Sequence, residues 1–506
     1  MWRRGGFLRA KPTIFYGTLL LSGVNLLLQG VAMLFQIYLS RSIGAAGLGL
    51  LQLIMSVGSM ALTVGISGIR ITAMYLCAEE LGRKRMEGVR RVLAACMRYG
   101  LVMSVFAGSI LLLGADFLSN RWISDARAAD SLRIMGLFLP VNCLCSVMTG
   151  YFTASGRVRE LVWVEIGERA VYILVTVALL RLWAGNELRR ACCAIVLGSS
   201  CSGVFSLCAM GLLCIRAIPK SAYSEIPVTK RMLRCAVPLA FGDYVRSALS
   251  TTEQMLIPRG LERHGGSVEG SMAAYGTIHG MVFPVILFPT AFLSALIDLL
   301  IPELSQSRIR GRQERIRTLS DHCFRLGALF ALTCAGLMHL WAEPLGNALY
   351  HSTEAGFYIA LFAPLVSVLY LDSITDGLLK GLGQQVHSVR YNTLTSALDV
   401  AGLLLLLPRY GIIGYFVSFT ATHFLNFLLS IARLIRVTKY RIPAAFCIKA
   451  ISCFLASVLL TRQIPWGFPF LFFGLLIMCR AVRTEDMRWF RGILRRKNVG
   501  YAPQSL

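Results

Sequence analysis

The first long apolar run of the chain, residues 13–40, reads TIFYGTLLLSGVNLLLQGVAMLFQIYLS. It contains no charged residue. It also exceeds the roughly 20 apolar residues that a helix needs to span the hydrocarbon core of a bilayer. A backbone surrounded by lipid must form its hydrogen bonds within its own helix. The run therefore predicts a membrane-spanning helix, and this decides the fold class of the whole chain.

The composition extends this prediction to the rest of the protein. Of the 506 residues, 56% are hydrophobic and only 15% are charged. Soluble domains are roughly 45 to 50% apolar and about 25% charged. Further apolar runs follow one another along the chain, separated by polar or basic breaks. They predict an all-α, polytopic membrane bundle of about fourteen transmembrane helices.

The basic residues give the bundle an orientation. The net charge is +25, but Lys and Arg cluster in short segments between apolar runs, without the interleaved aromatic residues of a nucleic-acid surface. With the N-terminus in the cytoplasm, most of them fall on the cytoplasmic side, as the positive-inside rule requires. We therefore expect a multi-pass protein of the cytoplasmic membrane, with both termini cytoplasmic, membrane lipids as partners and no nucleic acid. The basic segment at residues 1–11 precedes an overly long apolar run without a clear cleavage site, which indicates a retained first helix.

Short matches between the two halves of the chain indicate an internal repeat. Glu80-Leu81 recurs as Glu303-Leu304, each followed by a basic stretch, and Arg41 has a counterpart in Arg259. Because each copy spans an even number of helices, the repeat is parallel and favours alternating access. The repeat predicts two pseudo-symmetric six-helix lobes, residues 1–218 and 219–440, with two extra helices and a basic cytoplasmic tail in residues 441–506. Chance similarity among basic loops is the alternative.

Polar residues inside apolar runs are the candidate substrate site. A charge near the bilayer centre costs about 2.5 to 3.5 kcal/mol on insertion scales, so it usually faces a cavity or a partner. Arg246 and Glu253 share one face of the seventh predicted helix, with Asp243 beside them. On the first helix, Asn25 and Gln29 form a polar stripe. Mutual neutralisation of Asp243 and Arg246 is the alternative.

Other intramembrane charges are less decisive. Arg70 follows a Ser-Gly-Ile turn and either extends to the interface or enters the cavity as a further substrate-binding residue. For two groups with pairing at i,i+4, the structural interpretation is favoured. They are Glu165, Glu168 and Arg169 on one helix, and Asp372, Asp376 and Lys380 on another. His279 and His423 are interpreted as core histidines.

The sequence offers no enzyme chemistry. It contains neither a phosphate-binding Gly-Lys-Ser loop nor a His-Glu zinc motif. Most of the fifteen cysteines lie in apolar runs, where free Cys acts as a small hydrophobic residue. We therefore expect a transporter without catalytic residues, metal site or cofactor, apart from a coupling ion, H⁺ or Na⁺.

Four stretches carry a resemblance to a known family. They are YLSRSIG at 38–44, GISGIR at 65–70, LIPRGL at 256–261 and GLLKGLGQ at 377–384. The chain resembles the stage V sporulation protein B group of polysaccharide and lipid-linked oligosaccharide exporters. This group is related to the MurJ-type lipid II flippase and to MATE exporters.

The resemblance implies a flippase for an undecaprenyl-pyrophosphate saccharide used in cell wall, spore cortex or surface polysaccharide. An anionic headgroup would bind Arg246 and Arg70. However, the arginines of the flippase cavity have no one-to-one match here, and Asp243 and Glu253 lie close to Arg246. A cation-coupled multidrug exporter is the alternative, and a membrane transferase or structural protein is a third. The saccharide and the oligomeric state stay open.

Overall fold

The computed structural model describes residues 14–83, 85–185, 187–217, 228–440 and 442–481. Over these ranges the chain forms helices and turns, without a strand. Eight helices are long and apolar enough to cross a membrane. The predicted all-α membrane fold is thus confirmed. The basic residues 1–11 and the predicted basic tail lie outside the described ranges.

In the N-terminal half, residues 14–217, long helices alternate with short turns. They are α1 (Ile14–Ile66), α2 (Ile69–Gly82), α3 (Met86–Leu113), α4 (Ala115–Phe117), α5 (Ala129–Ala154), α6 (Val158–Leu179) and α7 (Leu188–Ala217). A π-helical turn, Leu118–Ile123, and a 3₁₀ turn, Ala126–Ala128, connect α4 to α5, and a second π turn, Leu180–Ala184, extends α6.

The C-terminal half, residues 228–440, repeats this alternation. Its helices are α8 (Val228–Arg263), α9 (Val268–Gly276), α10 (Phe283–Leu287), α11 (Thr290–Ile309), α12 (Gln313–Leu340), α13 (Ala342–Tyr350), α14 (Thr353–Gly381) and α15 (Gln385–Thr438). A π turn, Thr277–Val282, joins α9 to α10. Two shorter apolar helices follow, α16 (Ala444–Leu460) and α17 (Phe468–Met478), with a 3₁₀ turn, Pro465–Gly467, between them.

The two longest helical runs reverse direction at a glycine. Gly44 in α1 has φ 70° and Gly411 in α15 has φ 57°, a region that glycine adopts without steric cost. Beyond the second reversal, Ser418 donates a hydrogen bond of 2.7 Å to the Asp399 carboxylate, which lies before it. Each run therefore crosses the bundle twice. The predicted number of fourteen helices stays a prediction, because length and composition single out eight.

These reversals define two ends of the bundle. We call the end that contains Gly44 and Gly411 the distal end. The opposite end, where α2 turns into α3 near Arg83, is the proximal end. The predicted division into lobes at residues 218 and 440 stays a prediction, and the two halves are used below only as stretches of the chain.

The first helix joins the two halves. It contacts α8, α9 and α11 of the C-terminal half. A β-carbon on Gly49 would lie 2.2 Å from the carbonyl oxygen of Met272, and one on Gly276 would lie 2.0 Å from that of Ala45. Small residues allow helices in a membrane to approach this closely. The Gln36 amide adds a hydrogen bond of 3.1 Å to the carbonyl oxygen of Gly280.

The last two helices pack against α12. At this contact Arg325 is 3% exposed, and its guanidinium carbon lies 4.7 Å from the ring centroid of Phe446 in α16. Its Nε is 3.0 Å from the Asp321 carboxylate, which also accepts a hydrogen bond from the Tyr440 hydroxyl. A buried charge is tolerated when it is paired in this way. The docking of α16 is therefore polar as well as apolar.

Candidate functional site

The largest described cavity lies between the two halves. It has a volume of about 790 Å³ and is lined by α1, α6 and α7 on one side and by α11 on the other. We call it the central cavity. Asn25 and Gln29 line it, as the polar stripe of the first helix predicted. Their role in substrate binding stays a prediction.

The central cavity occupies the proximal half of the bundle. Nineteen residues separate Asn25 from the turn at Gly44. At a rise of 1.5 Å per residue, Asn25 lies roughly 28 Å from that turn. The hydrocarbon core of a membrane is about 30 Å thick. The cavity wall at Asn25 is therefore further from the distal end than the middle of the bundle.

One face of α6 contributes the charges of this cavity. Glu165, Glu168 and Arg169 line it together with Tyr172. Over the described chain, none of these three charged side chains forms an ion pair within 4 Å. The structural interpretation of this group was therefore wrong: the i,i+4 spacing allowed a pair, but the face of α6 that carries it borders open volume rather than a packed neighbour.

Arg70 lies near this wall. It is exposed at the start of α2, directly after Gly68 with φ 70°, and it is close enough to Glu165 to interact with its charge. Arg169 interacts with the same carboxyl group. Two arginines, Arg70 and Arg169, are thus close enough to Glu165 to attract its carboxylate.

Two smaller cavities continue from the central cavity into the C-terminal half. The first, the bridging cavity, has a volume of about 290 Å³ and shares Ser294 with the central cavity. The second, of about 80 Å³, shares Asp372, Asn392 and His423 with the bridging cavity. Because Glu253, Asp372 and Asp399 all line it, we call it the acidic pocket.

The acidic pocket contains oxygen atoms without hydrogen-bond donors. Asp399 is 2% exposed, and one of its carboxylate oxygens accepts hydrogen bonds from Ser418 and Thr422 at 2.7 and 3.2 Å. Asp372 accepts a hydrogen bond of 2.8 Å from the Asn426 amide. The other oxygens of Asp399 and Asp372, and the amide oxygen of Asn426, are buried without a donor. Buried polar atoms are rarely left in this condition.

Glu253 completes the pocket. Its carboxyl group is within hydrogen-bond reach of the Asp399 carboxyl group. Two carboxylates at this separation repel each other when both are charged. A proton or a small cation between them removes that repulsion. The pocket is thus built to hold one positive charge.

The other predicted residues of α8 lie elsewhere. Asp243 and Arg246 are exposed and line none of the three cavities. Ser67, in the turn between α1 and α2, donates a hydrogen bond of 2.6 Å to the Asp243 carboxylate. Among the described residues Asp243 forms no ion pair with Arg246, so the alternative of mutual neutralisation was wrong. The length of α8 explains the separation: Glu253 lies roughly 15 Å further along the axis than Asp243, at 1.5 Å per residue.

Some of the remaining predictions are confirmed and others are not. Asp376 pairs with Lys380 at 2.7 Å, as the spacing indicated, and also lines the bridging cavity. Asp372 lines the bridging cavity and the acidic pocket and forms no ion pair among the described residues. His279 lies in an aromatic core beside Tyr415, as predicted. His423 is partly buried, has a hydrogen-bond contact of 2.9 Å with the Phe419 carbonyl oxygen and packs against the Phe419 ring, as a core histidine would, and it also lines the bridging cavity and the acidic pocket. All fifteen cysteines are free.

Sequence reasoning missed the centre of the acidic pocket. Asp399 is a lone carboxylate in an apolar run, the same signal that drew attention to Glu253. Asn426 and Thr422 are four residues apart on the next crossing, a polar stripe at helical spacing. Both signals were present in the sequence, but only the reversal at Gly411 shows that they meet.

Comparison with known proteins agrees with this architecture. Residues 14–263 match the family of polysaccharide biosynthesis proteins. The chain is also 20% identical to the stage V sporulation protein B of Bacillus subtilis (strain 168) over 417 residues, which cover 80% of each protein. The predicted resemblance to this group is confirmed.

Solved structures of membrane transporters share the fold of this chain. An inward-facing multidrug resistance transporter of the MATE family aligns with a TM-score of 0.64 and 13% identity, over 83% of this chain and 99% of that one. The lipid II flippase MurJ, in an inward closed conformation, aligns with a TM-score of 0.61 and 11% identity, over 95% and 100%. The chain has the fold of the MATE and MurJ transporters and is a multi-pass membrane protein.

Proposed function

We propose that the protein moves a lipid-linked saccharide precursor, carried on undecaprenyl pyrophosphate, across the cytoplasmic membrane by alternating access. The match to polysaccharide biosynthesis proteins supports the substrate class. The fold supports transport rather than catalysis. The observation that carries the proposal is the central cavity, which is polar, lies between the halves and has a volume of about 790 Å³. Such a volume is suited to a headgroup of several rings.

The orientation of the chain follows the positive-inside rule. We place the proximal end in the cytoplasm, and with it both termini. The central cavity, in the proximal half of the bundle, then lies where a precursor made in the cytoplasm would enter. In this orientation the distal end faces outward.

We assign the contact with the pyrophosphate to Arg169, supported by Arg70. A guanidinium binds phosphate oxygens through two parallel hydrogen bonds. Arg169 is the arginine in the wall of the central cavity, whereas Arg246 lines no described cavity. A hydrogen bond to a charged group contributes about 1.5 to 3 kcal/mol. Loss of one such contact weakens binding by about 10- to 100-fold.

The test compares two arginine variants with the wild-type protein. Proteoliposomes containing a labelled undecaprenyl-pyrophosphate sugar are assayed for exposure of the headgroup on the far leaflet. Arg169→Ala is expected to lower the rate by at least about 10-fold, from the loss of a charged contact. Arg246→Ala, the matched control, is expected to retain most of it. Loss of transport in Arg246→Ala alone would move the headgroup contact to α8.

A second function is favoured by the carboxylates of the central cavity. Glu165 and Glu168 line it without an ion pair, and such carboxylates attract organic cations. A cation-coupled exporter of drugs would use them. If the wild-type protein moves a fluorescent organic cation but exposes no lipid headgroup, this function replaces the flippase.

We propose that the acidic pocket binds the coupling ion in either case. Its unpartnered oxygen atoms can take up a proton on a carboxylate or coordinate Na⁺, a hard cation that favours oxygen ligands. Transport is therefore expected to depend on an imposed gradient of one of these ions. Rates measured with sodium and pH gradients separately identify the ion, and equal rates without any gradient would refute coupling.

A further inference from the structure

Arg41, at the distal end of the first crossing of α1, reaches into the C-terminal half. Its Nε and Nη2 atoms donate to the carbonyl oxygen of Leu349 at 3.1 and 3.0 Å, and Nη2 also donates to that of Ala348 at 3.0 Å. Both carbonyls belong to the last turn of α13. Carbonyl groups in a last turn lack partners within the helix and carry the negative end of its dipole. Arg41 therefore caps a helix of the other half.

Arg259, at the distal end of α8, makes the reciprocal contact. Its Nη2 atom donates to the carbonyl oxygen of Trp122 at 2.8 Å and also to that of Arg121. These carbonyls belong to the π turn Leu118–Ile123 of the N-terminal half. Each half thus provides one arginine and presents one helical end to the arginine of the other half.

The two segments that accept these hydrogen bonds, α13 and the π turn Leu118–Ile123, have similar surroundings in the chain. Each lies after a long helix of its half, α3 or α12, and each is followed by a residue with positive φ, Ser124 at 61° and His351 at 53°. The next residue then caps the following helix with its side chain, Asp125 in one half and Ser352 in the other. The two arginines are also counterparts in the sequence repeat. The contacts are therefore two copies of one arrangement.

We propose that Arg41 and Arg259 are a matched pair of gate residues that hold the distal end of the bundle closed. The proposal rests on the transport cycle put forward above. Because each arginine crosses from one half to the other, the halves cannot separate at this end without breaking both contacts. Arg41 is exposed, so water replaces its carbonyl partners when the contact opens. A hydrogen bond exchanged for water changes the free energy only modestly, as a reversible gate requires.

The proximal end is joined by different contacts. There Arg231 of α8 pairs with Glu79 of α2, and Ser67 in the turn after α1 donates to Asp243 of α8. These are pairs of side chains rather than capped helix ends. Loss of the two distal contacts leaves the proximal pairs intact, and so it favours a conformation that is open at the distal end.

The test measures the distance between the halves at the distal end. Spin labels are attached through a non-canonical amino acid at Glu187 and Glu262, two exposed distal positions, one in each half. Arg41→Ala and Arg259→Ala are each expected to add a population with a longer distance. In the double variant this long-distance population is expected to exceed the sum of those in the two single variants. The reason is that each single variant keeps one of the two contacts, which still restrains the halves.

Arg462→Ala is the matched control, since Arg462 is an exposed arginine at the same end in the turn between α16 and α17. It is expected to leave the distance distribution unchanged. A double variant with the wild-type distribution would overturn the proposal. If the distance distribution shifts but the wild-type protein moves no lipid, the gate is supported and the proposed substrate is rejected.

A cross-link provides a second measurement, in which a covalent bond takes the place of the Arg41 contact. In the Arg41→Cys, Leu349→Cys double variant, a reducible bifunctional thiol reagent joins the two positions in the closed state. Cross-linking is expected to stop transport, and reduction of the reagent is expected to restore it. Full transport by the cross-linked protein would show that this end need not open, and it would refute the gate.

Discussion

The central cavity and the acidic pocket both contain carboxylates, but the protein holds them differently. In the central cavity, Glu165 and Glu168 border a volume of about 790 Å³ without an ion pair among the described residues. In the acidic pocket, of about 80 Å³, Asp399 is fixed by two hydroxyl groups and lies against Glu253. The first arrangement suits a large ligand that enters and leaves. The second suits a small ion with fixed ligands.

This difference indicates a division of labour between the two halves. In the proposed function, the wall built by α6 of the N-terminal half would select the transported molecule, and the pocket built by α8, α14 and α15 of the C-terminal half would bind the ion. The bridging cavity, which shares residues with both, connects them. Substitutions that affect one site and not the other test this division.

The largest effect is expected from Asp399→Asn. The amide keeps the shape and an acceptor for Ser418, but it removes the charge that would hold the ion. Gradient-driven transport in proteoliposomes is expected to be abolished, with folded protein still obtained. Asp376→Asn, at a carboxylate that already pairs with Lys380, is the control and should retain the gradient response. A normal gradient response in Asp399→Asn would show that the coupling ion does not bind in the acidic pocket.

An intermediate effect is expected from Glu168→Gln. A charged contact with a ligand contributes about 1.5 to 3 kcal/mol, so in the cation-export function transport of an organic cation should fall by about 10-fold or more. The response to the ion gradient should be unchanged, because Glu168 does not line the acidic pocket. Dose–response curves for the cation at two gradient strengths separate these quantities. A weakened gradient response would show that the two sites are not separate.

The smallest effect is expected from Ser418→Ala. It removes one hydrogen bond to Asp399 while the bond from Thr422 stays. A single hydrogen bond contributes about 0.5 to 1.5 kcal/mol, so half-maximal transport should require about 3- to 10-fold more of the ion. Ser294→Ala, in the wall shared by the central and bridging cavities, serves as the comparison and should leave the ion requirement unchanged.

The sequence predicts the fold better than it predicts the site. A single apolar segment in lipid can pair all its backbone groups only as a helix, so apolar runs such as residues 13–40 indicate helices directly. The spacing of Asn25 and Gln29 also indicated a polar face, which does line the central cavity. The spacing did not show which face of α6 borders the cavity. Glu165 and Arg169 are four residues apart, which is compatible with an ion pair in a packed interface and with two charges on a cavity wall.

The acidic pocket could not be assembled from sequence for a different reason. Its members come from α8, α14 and both crossings of α15. Periodicity describes neighbours on one helix, whereas Glu253 and Asp399 meet only after the helices pack. Glu253 was therefore grouped with Asp243, its neighbour along α8, rather than with its partner in space.

The burial of Arg325 beneath Phe446 has a consequence for the synthesis of the chain. Helix α12 leaves the ribosome well before α16, so during that interval its guanidinium has Asp321 as a partner but lacks the aromatic cover. Lipid cannot supply such cover, because hydrocarbon has neither a charge nor a π-face. The second half is therefore completed only when the last two helices insert. A chain truncated after α15 would present an incompletely shielded cation to the bilayer.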